Sequence, residues 1–173
     1  MKRELIEKMR KVRFVIFDFD GVFTDGSVYV LDDGKEMVRC TRYDGGTAIH
    51  RLKKVGVETM VLSGEANPCV AWRCKKIGLP FVQGVQDKLA RLKRILYENE
   101  LGPPEFQPEE ICYVGDDLND LEIMKFVGVP IAVANAFKEI KQVACYVTQK
   151  KGGEGAVREV CDLLYKIKTE KEV

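Results

Sequence analysis

The sequence predicts an α/β fold with a parallel sheet covered on both faces, and three observations carry that reading. Short apolar runs alternate with helical patterns from about residue 44 onward, which calls for crossover connections between parallel strands. Polar residues follow three of the apolar runs: Asp18 and Asp20, then Ser63-Gly64-Glu65, then "GDDLND" at 115–120. Ligands gather at the carboxyl ends of strands in such sheets. Finally, 173 residues with 46% apolar and 32% charged composition suit one domain with its own core.

Taken in order, Val12–Phe17 reads as a strand, and "SVYVL" and "EMVRC" flank the turn "DDGK" as a hairpin. A helix spans about Asp44–Val55 with Ile49 and Leu52 inward, followed by the strand "VETMVLS". Asn67–Ile77 is helical with Val70 and Cys74 on one face, Phe81–Val82 a short strand, and Lys88–Leu101 a helix with Leu89, Leu92 and Leu96 at core spacing. "LGPPEFQPEE" is a proline-rich surface connection. Then come the strand "ICYVGDD", the helix "NDLEIMKFV", the strand "PIAVA", a closing helix over about Ala156–Lys168 and a frayed tail "KIKTEKEV". Trp72 is expected in the core and His50 in packing or at the surface.

Twenty-eight basic against 27 acidic residues leave a net charge of +1, which provides no field for nucleic acid or an anionic membrane. No apolar run approaches the roughly 20 residues of a membrane span, and "MKRELIEKMRKVR" lacks a signal-peptide core. A cytoplasmic protein is expected. Six singly scattered cysteines and one histidine read as reduced core thiols rather than a disulfide framework or a thiolate metal site.

The chemistry starts from "FVIFDFDGVFTDG" at 14–26. Strand alternation lets Asp18 and Asp20 point the same way, where at about 4 Å two like charges repel by about 4 kcal/mol at an effective dielectric near 20. The acids of "GDDLND" add to that charge. Mg²⁺ resolves the conflict, because it takes carboxylate oxygens while leaving positions for water and phosphate. With Lys88 also absorbing charge, the carboxylate of Asp18 could attack a phosphate, while Asp20 moves protons to the leaving oxygen and from the attacking water.

Together these residues resemble the haloacid dehalogenase superfamily. "DFDGVFTDG", "VLSGE", "DKL" and "GDDLND" match its four motifs in order. The resemblance implies a Rossmann-like, doubly wound parallel sheet, with Asp18 as nucleophile, Asp20 as acid/base, and Ser63, Gly64 and Lys88 on the phosphate. It implies that Asp18, Asp116 and the backbone carbonyl of Asp20 hold Mg²⁺, with Asp117 and Asp120 in support. "DGVFTDG", "QGVQDKL", "YVGDDLND", "VGVPIAVANA" and "GGEGAVREV" are similar to a capless subgroup, the 3-deoxy-octulosonate 8-phosphate phosphatases and relatives acting on nonulosonate 9-phosphates. About 44 residues between Asp18 and Ser63 and about 24 between Ser63 and Lys88 leave no room for a cap.

In that subgroup neighbouring subunits of a homotetramer supply the lid. The resemblance therefore implies that Ser27–Cys40 is an interface hairpin and that "GGEGAVRE" reaches a neighbour's site. Arg42, Asp44, Glu65, Arg73, Lys76, Glu154 and Arg158 become candidates for holding the sugar acid. Octulosonate phosphatases carry Arg where this chain has Glu65 and Glu154, and Glu65 with Lys76 is similar to the deaminoneuraminate 9-phosphate pattern. That favours a nonulosonate 9-phosphate substrate over the octulosonate 8-phosphate. A non-catalytic tetramerisation domain and a phospho-accepting receiver domain are the alternatives; the intact acids argue against the first, and Asp20 with the hairpin against the second.

Overall fold

Phe14–Phe17 forms β1, with all four residues buried. In the computed structural model, which describes residues 2–98 and 106–170, β1 pairs in parallel with β4 (Glu58–Leu62) on one side and β6 (Ile111–Gly115) on the other. A strand buried on both faces needs an unbroken apolar run, which "FVIF" supplies. Beyond these lie β5 (Phe81–Val82), β7 (Val129–Ala132) and β8 (Tyr146–Val147), giving a six-stranded parallel sheet in the order β5-β4-β1-β6-β7-β8. The chain leaves β1 toward β4 and leaves β6 toward β7, so their carboxyl ends flank the point where the strand order reverses.

Right-handed crossovers put α2 (Gly46–Lys53) and α3 (Pro68–Ile77) on one face and α4 (Lys88–Tyr97), α5 (Leu121–Phe126) and α6 (Lys138–Val143) on the other. α1 (Arg3–Lys11) and α7 (Ala156–Thr169) pack together beside α2. Local chemistry sets the helix ends. Asn67 accepts the Cys69 N–H ahead of Pro68, Gly78 closes α3 in the left-handed region, and Asp87 accepts the Ala90 N–H at the start of α4. Between β1 and α2 the chain forms a separate antiparallel hairpin, β2 (Thr24–Val30) with β3 (Glu36–Cys40). Its Val28, Tyr29, Val30, Leu31 and Met37 are exposed.

Several expectations are adjusted. α1, α6 and β8 were not expected from periodicity: α1 buries only Met9 fully, α6 has six residues and β8 two. "NDLEIMKFV" opens with a 3₁₀ turn, Leu118–Asp120, before α5. Residues 99–101 of the expected helix Lys88–Leu101, residues 101–105 of the expected proline-rich connection and residues 171–173 of the expected frayed tail lie outside the described residues. Trp72 is 72% exposed rather than core; in α3 the inward positions are Val70, Cys74 and Ile77, which turns residue 72 outward. The six cysteines are all free, with Cys74, Cys112 and Cys161 buried, and His50 is exposed. Among the described residues no helix is long and apolar enough to cross a membrane.

Candidate active site

The centre of the site is a buried cation between two acids. Asp18 follows β1, Asp120 ends the 3₁₀ turn after β6, and Lys88 opens α4; Lys88 Nζ lies 2.7 Å from Asp18 Oδ2 and 2.7 Å from Asp120 Oδ1. All three residues are nearly sealed from solvent. Burial alone would lower the Lys88 pKa, but the charges of Asp18 and Asp120 outweigh it and hold the amine protonated. Burial, and after it the charge of Asp120, push Asp18 well above the usual carboxylate range, with Lys88 opposing them. Phe19 N–H donates to Asp18 Oδ1 at 2.7 Å and fixes the carboxylate.

Asp120 has no oxygen to spare. Oδ1 accepts from Lys88 and from the hydroxyl of Tyr113 at 2.6 Å, and Oδ2 accepts the backbone N–H groups of Asp116 and Asp117. Asp116 is the opposite case, since its Oδ1 is buried without a hydrogen-bond partner. Oxygens of Asp18, Asp116 and Asp120 lie within 4.8 Å of one another. Burial first, then the charges of Asp120 and Asp117, push Asp116 up to about 7. An orphaned acidic oxygen beside a crowded carboxylate fits a hard divalent cation, so Asp116 and Asp18 are the side chains able to hold one, with Asp120 orienting them. Gly21 makes room: its φ is +71°, and a Cβ there would sit 1.9 Å from Asp116 Oδ2.

In front of this floor opens a cavity of about 390 Å³ lined by Asp18, Asp20, Ser63, Gly64, Glu65 and Asn119, with Glu36 and Asn67 toward the hairpin. Ser63 is buried after β4, and its Oγ accepts the Glu65 N–H at 3.0 Å. Asp20 is pushed up by burial and then by the charge of Glu65, against Lys88 and the Thr24 hydroxyl, the direction a proton donor needs. Glu65 Oε1 accepts the N–H groups of Ala66 and Asn67 at 2.7 and 2.9 Å, just ahead of α3.

Comparison with known proteins assigns the family. A profile for haloacid dehalogenase-like hydrolases matches residues 87–160. Over 162 residues the chain is 36% identical to the 3-deoxy-D-manno-octulosonate 8-phosphate phosphatase KdsC of Yersinia pestis and 37% identical to that of Escherichia coli K12, covering 93% of this chain and 83% of each relative. The chain belongs to the haloacid dehalogenase-like hydrolases, among the KdsC-type phosphatases. Solved structures agree with that membership. A putative phosphatase of the same description from Vibrio cholerae superposes with a TM-score of 0.90 at 34% identity, over 100% of this chain and 94% of that one. The Moraxella catarrhalis phosphatase, solved with a magnesium ion, a phosphate ion and a KDO molecule, gives 0.87 at 30% identity, over 96% and 93%.

Within this KdsC-type hydrolase, Asp18, Asp20, Ser63, Gly64 and Glu65 share one cavity, with Lys88, Asp116 and Asp120 behind them. Asp117 is exposed and caps the 3₁₀ turn through Leu118 N–H. Most of the expected sugar-acid residues lie elsewhere in the chain. Asp44 is fully buried, its two oxygens accept backbone N–H groups of Gly155 and Arg158, and it stands outside the lining of this cavity. Arg158 pairs with Asp162 and, with Glu154, lines a different groove beside Tyr43. Arg73 Nη2 donates to Thr41 O at 3.0 Å, while Arg42 and Lys76 are exposed and outside the cavity lining. Tyr113, Thr24, Glu36, Asn67 and Asn119 escaped the sequence reading. A tyrosine inside an apolar strand looks like core until its hydroxyl finds an acid.

Proposed function

We propose that the chain is a Mg²⁺-dependent phosphomonoesterase that removes phosphate from a 2-keto-3-deoxy sugar acid through an aspartyl-phosphate on Asp18. The observation that carries this is the Asp18–Lys88–Asp120 arrangement at the floor of a cavity that also holds Asp20 and Ser63. Asp18 and Asp116, with the carbonyl of Asp20, would hold Mg²⁺, which when bound offsets the charge of the phosphate dianion. Ser63, the Gly64 backbone and Lys88 receive the phosphate oxygens and place phosphorus in line with Asp18. As the Asp18 oxygen bonds to phosphorus and the ester P–O bond breaks, Asp20 gives its proton to the leaving sugar oxygen. Asp20 then takes a proton from the water that attacks the acyl phosphate, releasing phosphate and restoring Asp18.

The KdsC names of the relatives support 3-deoxy-D-manno-octulosonate 8-phosphate as substrate. A specific observation supports a second reading, a nonulosonate 9-phosphate: Glu65 and Glu36 put two acids on the cavity wall, where Arg would suit a substrate carboxylate and Glu prefers hydroxyl or ammonium groups. We place the reaction in the cytoplasm and in a homotetramer whose exposed hairpins associate, so that neighbours close the cavity and Arg73, Lys76, Glu154 and Arg158 act across subunits. Phosphate release from the two sugar-acid phosphates, with and without chelator, tests the reading. Chelator-sensitive turnover of at least one is expected; turnover of neither, or turnover indifferent to chelator, would contradict it.

A further inference from the structure

Asp44 is the buried acid that the reaction does not use. It lies between the hairpin and α2, and its Oδ1 accepts the Arg158 N–H at 2.9 Å while its Oδ2 accepts the Gly155 N–H at 3.2 Å. One carboxylate therefore satisfies two donors at the start of α7, whose own N-cap residue, Gly155, has no side chain to do so. The segment just before that helix, Gly152–Gly155, is pressed against the loop that follows Asp18. Gly153 N–H donates to Val22 O at 3.1 Å. A Cβ on Gly152 would lie 1.6 Å from Gly21 O and 2.9 Å from Thr24 O, so the two backbones touch directly. From the other side Asn135 Oδ1 accepts the Gly152 N–H at 2.8 Å.

The loop held in this way carries Asp20. Thr24 Oγ1 accepts the N–H groups of Gly21 and Gly26 at 3.0 and 3.2 Å, which makes residues 21–26 one braced turn. Any shift of Gly152–Gly155 is passed to Gly21, the immediate neighbour of Asp20. Proton donation is sensitive to such a shift, because displacement of a reacting group by about 1 Å can cost about a hundredfold in rate.

We propose that Asp44 is a positioning residue for Asp20, acting through the strut Gly152–Gly155 to hold the proton donor at the ester oxygen. This rests on the reading of Asp20 as the acid in phosphoryl transfer. Asp44→Asn keeps one acceptor and turns an amide N–H₂ toward the second backbone donor, which loosens the strut with little change in volume. Asn135→Ala removes the strut's other anchor and leaves Asp44 intact.

The test compares kcat/KM for 3-deoxy-D-manno-octulosonate 8-phosphate, whose alkoxide must be protonated as it leaves, with kcat/KM for p-nitrophenyl phosphate, whose leaving group needs no proton. With Asp44→Asn the sugar ester should slow about tenfold or more and the aryl ester by less than about twofold, and Asn135→Ala should show the same imbalance more weakly. Amide hydrogen exchange over residues 21–26 should quicken in both variants. An equal loss on both esters, or no loss on either, would overturn the proposal while leaving the functional reading standing. If Asp44→Asn does not fold, the ratio in Asn135→Ala decides. If wild type prefers a nonulosonate 9-phosphate, that ester takes the place of the octulosonate in the comparison; wild-type protein that hydrolyses none of the three esters would overturn the functional reading itself, and this inference with it.

Discussion

The floor and the rim of the cavity are built on different principles. At the floor, Asp18, Lys88, Tyr113 and Asp120 form one buried network whose polar groups have partners between 2.6 and 2.9 Å away. At the rim, Glu36, Glu65 and Asn67 meet a hairpin whose apolar side chains are exposed. Packing fixes the floor inside one chain, so the capacity to handle phosphate is set by the fold. Selection of the organic part is left to groups that water or, in the proposed homotetramer, a neighbouring subunit can still rearrange.

Removing the foremost acid breaks that comparison at the floor with the largest effect. Asp18→Asn should retain the fold and lower turnover about a thousandfold or more, measured as phosphate release alongside circular dichroism; full activity would rule out covalent attack. Lys88→Met leaves Asp18 and Asp120 facing each other without a cation and should cost on the order of 3–5 kcal/mol in urea unfolding. Added Mg²⁺ should restore part of that loss, and an unchanged unfolding midpoint would show that the floor does not depend on its lysine. At the rim, Glu65→Arg should leave the floor intact and raise the ratio of kcat/KM for the octulosonate 8-phosphate over a nonulosonate 9-phosphate about tenfold. An unmoved ratio would take Glu65 out of substrate choice.

The last effect concerns pH and lies away from the reacting groups. Burial raises Asp44 from 3.8 to about 6 in the fold, so the folded state holds this proton more tightly than the unfolded one. Its contribution to stability is therefore fully present below about pH 4 and is lost as pH rises through about 6. Asp44→Asn lacks this titration. The stability of wild type relative to that variant should accordingly fall between pH 4 and 7 by on the order of 2 kcal/mol, read from urea unfolding at each pH. A constant difference would show that Asp44 titrates normally.

The floor was legible because its residues are ordered along the chain by strand ends: Asp18 after β1, Ser63 after β4 and the acids after β6 each follow an apolar run. Alternating strands and helices gave the sheet for the same reason. Tyr113 was hidden because a buried phenol in "ICYVG" has the periodicity of core. The bonds of Asp44 to the start of α7 were not legible, because nothing local marks an acid that caps a helix more than 100 residues away. The short α6 and β8 gain their order from tertiary packing, and six- and two-residue elements carry little periodicity of their own. Trp72 failed as a core residue because apolar type outweighed helical phase in that reading.

Trapping the covalent intermediate tests the central claim most directly. Protein mixed with the sugar-acid phosphate and Mg²⁺, then quenched with borohydride, should yield a peptide in which Asp18 has been reduced to homoserine, and chelator should abolish that product. Steady phosphate release with Asp18 unmodified at every time point would contradict the account.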